Sequence, residues 1–65
     1  KYITTIIPET EEADYTIFDL KGQEIKSGIW KKSNPVIMVD QFNPGIYGIT
    51  VSTLKKMYHS RFSCH

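Results

Sequence analysis

The chain has 65 residues, 8 Lys+Arg against 7 Asp+Glu, and a formal net charge of +1 with both histidines neutral. That balance supplies no strong field for steering onto nucleic acid or an anionic membrane, and the length allows one domain, spanning 1–65, because so short a chain buries only about 60% of its unfolded surface. With 40% hydrophobic and 23% charged residues the composition is that of a folded chain, and no apolar run approaches the roughly 18 residues of a membrane-spanning helix.

Tyr2 to Ile7 form a first predicted strand, closed by Pro8, which cannot donate to a central ladder. A polar hinge, Glu9-Thr10-Glu11-Glu12, follows. Beyond it Tyr15, Ile17 and Asp19 alternate with Thr16, Phe18 and Leu20; both faces carry bulk, which predicts a central strand. Asp19-Leu20-Lys21-Gly22 is a turn signal, with Gly22 where a short hairpin needs a left-handed residue. The return strand runs from Gln23 towards Trp30 with Ile25, Ser27 and Ile29 on one face, as an edge strand would. After Ser33-Asn34-Pro35, the run Val36-Ile37-Met38-Val39 predicts a short buried strand. Asn43-Pro44-Gly45 reads as a type II turn, with Pro44 presetting φ and Gly45 supplying a positive one. The cleanest alternation comes next: Tyr47, Ile49 and Val51 on one face, Ile46, Gly48, Thr50 and Ser52 on the other. Thr53-Leu54-Lys55-Lys56 turns into a last strand, Met57 to Phe62, where Tyr58, Ser60 and Phe62 oppose Met57, His59 and Arg61. Turns about every ten residues, and no helical stretch, predict an all-β fold of about six short strands.

The chemistry-bearing residues are sparse. Cys64, His59 and His65 are the soft ligands, and Cys64-His65, expected at a frayed terminus, lacks the spacing and further partners of a zinc site. One cysteine also forbids an internal disulfide. Nothing in the pattern brings Cys64 or any serine to a histidine base and an orienting acid such as Asp40. Glu9, Glu11 and Glu12 read as a solvated hinge, and Gly22, Gly28, Gly45 and Gly48 are too isolated for a phosphate loop. No enzyme, cofactor or metal is expected. Trp30-Lys31-Lys32 and Lys55-Lys56-Met57-Tyr58 place bases beside aromatics. They read as hairpin ends in which lysines block edge pairing, or as a contact surface of Trp30, Lys31, Lys32 and Tyr58 for glycan or protein. Trp30 decides: exposed, it is a contact residue; buried, it closes the core.

The segments Tyr15-Thr16-Ile17-Phe18-Asp19-Leu20-Lys21-Gly22-Gln23-Glu24-Ile25 and Val39-Asp40-Gln41-Phe42-Asn43-Pro44-Gly45-Ile46-Tyr47, in this order and spacing, resemble the C-terminal sorting domain of the type IX secretion system in Bacteroidetes. A match nearly as good is to small secreted immunoglobulin-like proteins of Bacteroides. The resemblance implies a small antiparallel immunoglobulin-like β-sandwich of about six short strands, non-catalytic, at the end of a secreted cargo protein. It would be recognised by the outer-membrane secretion machinery after passage through the periplasm, removed by a sortase-like peptidase, and leave the cargo secreted or at the cell surface. The motif positions it points to are Asp19, Gly22, Pro44, Gly45 and Tyr47. The alternative is a cell-surface binding module for glycan or protein. The start at Lys1, without the Pro-Asn-Pro segment the family usually carries ahead of this point, leads to the expectation that the chain is the C-terminal piece of a longer protein.

Overall fold

The computed structural model describes residues 1–5, 7 and 10–65. Its six strands are β1 (Tyr2–Thr4), β2 (Glu12–Phe18), β3 (Glu24–Lys31), β4 (Val36–Met38), β5 (Gly45–Ser52) and β6 (Met57–Cys64). All pairings are antiparallel and fall into two sheets, a four-stranded one in the order β3-β2-β5-β6 and a two-stranded one of β1 and β4. This is a small β-sandwich, all-β as the turn spacing predicts and a sandwich as the resemblance implies.

The alternation along β5 determines which face is inward. Tyr47, Ile49 and Val51 are buried while Ile46 is exposed. Register then propagates that choice: Tyr15 lies opposite Val51 and Ile17 opposite Ile49, while Ala13 lies opposite Trp30. These side chains share one face with Cys64 at the end of β6, and Ile7, Ile37 and Val39 complete the buried cluster from the other side. Ile17 is 0% and Trp30 2% exposed, so the largest side chain in the protein is also among its most enclosed. The indole Nε1 donates to Thr5 O at 3.1 Å, which joins the four-stranded sheet to the backbone just beyond β1. A buried Trp needs such a partner for its N–H.

Several elements differ from the sequence expectation. β1 stops at Thr4; Ile6, Pro8 and Glu9, which bear on the expected end of that strand and on the acidic hinge, lie outside the described residues. β2 starts at Glu12, earlier than its apolar alternation suggests, because Ala13 packs opposite Trp30. It ends at Phe18, because Asp19 is taken up by the turn. The strand is central, yet only its Tyr15 face is fully buried; Thr16 and Phe18 are half-buried. β3 is the expected edge, with a bulge where Ile17 and Phe18 pair with Lys26 and Glu24, so that Ile25 is left over. The run at β4 is buried on one side only: Ile37 faces in while Val36 and Met38 face out.

Gly28 has a packing role that its neighbours in sequence do not reveal. It pairs directly with Tyr15, and a Cβ placed there would come within 2.8 Å of the Tyr15 hydroxyl oxygen and 3.0 Å of the ring carbon bearing it. The ring of a buried tyrosine lies across the glycine, and any side chain would displace it. Gly28→Ala should therefore destabilise by about 1–3 kcal/mol, the usual range for overpacking, read as a lower urea midpoint. An unchanged midpoint would mean that the Tyr15 ring moves aside without cost. Trp30→Ala, which removes the side chain spanning the two layers, should cost about 3–5 kcal/mol, a large share of the stability of any small domain.

Candidate recognition site

The first motif is a turn built around Asp19. Its carboxylate Oδ1 accepts hydrogen bonds from the backbone N–H of Lys21 and of Gln23, both at 2.9 Å. Its carbonyl accepts from Gly22 N at 3.1 Å, and its own N–H donates to Gln23 O at 3.0 Å. Aspartate suits this position because a short carboxylate can satisfy the N–H groups of a turn that has no ladder partner for them. Gly22 has φ +83°, the left-handed region that glycine occupies without a Cβ clash. Both residues do what the sequence predicts.

The second motif departs from its prediction. Gly45 has a positive φ, but at +156° it is close to extended rather than near the +80° or so of a type II turn. It is already the first residue of β5 and pairs with Cys64. The loop is held instead by Tyr47, whose hydroxyl donates to Asn43 O at 2.6 Å. Its ring packs against Phe42 at 4.9 Å and Phe62 at 5.7 Å between centroids. Phe42 N in turn donates to Val39 O at 3.1 Å. Tyr47 thus fastens the loop by both its ring and its hydroxyl, leaving Pro44 and Gly45 exposed. Cys64 belongs to this region too: it is 6% exposed, with Sγ 4.0 Å from Phe42 O, so the C-terminal end is part of the ladder and not frayed as expected.

Topology brings the motifs together. Phe18 pairs with Gly48, so the Asp19–Gly22 turn and the loop before Gly45 emerge at the same pole of the sandwich. Ile25, Lys26, Met38, Asp40, Gln41 and Phe42, from the start of β3 and the chain around β4, line a cleft of about 450 Å³. Lys26 Nζ donates to Met38 O at 2.6 Å across it, tying β3 to β4. The N-terminus is at this pole as well: the Lys1 ammonium pairs with the Asp40 carboxylate, and Lys1 O accepts from Val39 N at 3.1 Å. Lys1, Ser63 and His65 line one surface hollow.

The other predicted cluster does not assemble into a surface. Trp30 is in the core, and Tyr58 is half-buried against it; only Lys31 and Lys32 are exposed. Trp30 therefore closes the core, the second of the two outcomes the sequence leaves open, with Ile29 and Lys31 on the outer face. His59 is exposed on the outer face with Nδ1 3.2 Å from Thr50 Oγ1. Among the described residues no group of three or more His, Cys, Asp or Glu could hold a metal ion, and no helix is long and apolar enough to cross a membrane.

The fold and the site define a β-sandwich module whose motif residues fix turns and expose a loop, with no assembled catalytic constellation among the described residues. The chain belongs to the secretion system C-terminal sorting domain family, whose model matches residues 1–64. No curated protein and no solved structure matches it. It is therefore a non-catalytic sorting signal of type IX secretion, the route associated with Bacteroidetes, recognised by that machinery and marking its carrier for transport across the outer membrane to the cell surface or extracellular space.

Loss of the turn bonds should be measurable. Asp19→Ala removes two acceptor contacts and should lower stability by about 0.5–2 kcal/mol, as for a lost helix cap. Tyr47→Phe, which keeps the ring stack, should cost about 1 kcal/mol. Thermal unfolding of both variants checks the order, with Asp19→Ala at least as damaging.

Proposed function

We propose that the secretion machinery reads the pole where Asp19, Gly22, Pro44, Gly45 and Tyr47 meet, and that a sortase-like peptidase then detaches the module from its cargo. The observation that carries this reading is the emergence of two sequence-distant loops at one pole of the sandwich, through the pairing of Phe18 with Gly48. Asp19, Gly22 and Tyr47 hold the loops, while Pro44, Gly45, Lys21 and Gln41 supply exposed surface. Such a division suits a signal that must be folded to be recognised: the shape is set by internal bonds, and the partner meets a fixed outline at little entropic cost. The family's role supports a partner of this kind, and the cargo lies ahead of a module that acts from the C-terminal side.

Glycan or protein binding at the cell surface is the weaker reading. Its aromatic anchor, Trp30, is enclosed.

The test is export of a periplasmic reporter carrying residues 1–65 at its C-terminus in a host with a working type IX system. Export of the parent fusion is expected. Substituting exposed residues of the motif pole, Lys21→Glu with Gln41→Glu and Pro44→Ser, should reduce export at least tenfold, a discrimination of about 1.4 kcal/mol, with an unchanged melting temperature. Lys31→Glu with Lys32→Glu at the far pole should leave export intact. Equal losses at both poles would remove the proposed site while leaving the sorting role standing.

A further inference from the structure

β6 is an unguarded sheet edge. Among the described residues it pairs only with β5; its eight residues include no proline, and its register with β5 runs without a shift. The opposite edge, β3, carries a bulge and the lysine that bonds to β4, two of the usual ways by which sheets blunt an edge.

The phase of the ladder shows which groups are free. Thr53 N donates to Lys56 O at 2.8 Å, and antiparallel pairs alternate between bonded and non-bonded. Tyr58, Ser60, Phe62 and Cys64 therefore direct their main-chain groups to Val51, Ile49, Tyr47 and Gly45. Counting from the far edge gives the same phase: Lys32 N bonds Glu11 O, and alternation carried across β2 and β5 again leaves the outward groups at Met57, His59, Arg61 and Ser63.

Beside this edge the sandwich is open. A groove of about 520 Å³ lies between β1 and β6, with Ile3, Ile7, Ile49, Val51, Tyr58 and Phe62 along it. Among the described residues its remaining lining includes His59, Ser60 and Arg61 of the β6 edge and no Asp or Glu. The side chains of β6 alternate: Tyr58 and Phe62 are half-buried against the core, while His59 and Arg61 are exposed.

We propose that β6 accepts, as an added strand, an extended segment of another protein in which apolar and acidic residues alternate. The backbone of the segment would pair with the outward groups at His59, Arg61 and Ser63. Its apolar side chains would cover the groove, and its carboxylates would lie beside Arg61 and His59. A second copy of this chain is a poorer occupant, because antiparallel pairing with Tyr58 opposite Phe62 sets Arg61 against the second copy's His59, and pairing about Arg61 sets two guanidinium groups together. The proposal concerns the flank of the sandwich and does not depend on which pole the secretion machinery reads.

The test uses the isotopically labelled 65-residue chain and a synthetic peptide alternating valine and glutamate, eight residues long like β6. Binding should slow hydrogen exchange at the amides of His59, Arg61 and Ser63 and shift the methyl signals of Ile49 and Val51. Affinity should exceed that of the valine–lysine counterpart by roughly tenfold, and Arg61→Glu, a change at an exposed position, should reverse that preference. Unchanged exchange at the three amides with peptide in excess would overturn the proposal. So would equal affinity for the two peptides, or a dimer that protects the same amides without peptide.

Discussion

The indole of Trp30 joins the two layers, and the sandwich depends on that junction. The four-stranded sheet presents a full apolar face, while the covering sheet consists of two strands of three residues each. So little backbone cannot cover such a face with ordinary aliphatic side chains. One large ring placed on β3, bonded through its N–H to the chain beyond β1, fills the space and fixes the spacing of the layers together. A domain of this length without a disulfide has few other means of holding its core. The small residues near the ring follow from it: Ala13 lies directly across from Trp30, and Gly28 leaves room for the Tyr15 ring beside it.

Much of this arrangement was legible in the sequence wherever one face is plainly more apolar than the other. Tyr47, Ile49 and Val51 announced the inward face of β5, and Asp19-Leu20-Lys21-Gly22 announced a turn with a left-handed glycine, which the structure shows at Gly22. Legibility failed where both faces carry bulk. Ile25, Ile29 and Trp30 all lie on β3, and alternation alone cannot say whether the isoleucines or the tryptophan turn inward. That choice is made by cross-strand register, which the local pattern does not contain. The same limit hid the approach of Tyr15 to Gly28, residues thirteen positions apart. At Gly45 the residue preference was right and the turn type wrong, because glycine satisfies many conformations of positive φ and the ladder with Cys64 selected an extended one. Cys64 looked terminal in sequence but is held by that pairing.

The pole proposed for recognition was legible only in part. Each motif residue could be named, yet their convergence follows from β2 and β5 being neighbours, a non-local fact. The arrangement also separates two kinds of residue that a motif read as letters would merge. Asp19, Gly22 and Tyr47 act inward, on the loops' own backbone and packing. Pro44 and Gly45 remain available to a partner. A sorting signal built in this way loses its outline when a turn is lost, even though the changed residue touches nothing outside the chain.

The Lys1 carbonyl bound by Val39, with Tyr2 paired to Met38 and Gly45 to Cys64, brings the start of β1 and the end of β6 to the motif pole. Any polypeptide continuing ahead of Lys1 would leave beside the C-terminus rather than from the far side, hanging from the sandwich like a pendant. A bulky passenger attached without slack would then cast a steric shadow over the cleft. The reach of the tether, as much as the surface of the module, would govern how readily a receptor could dock.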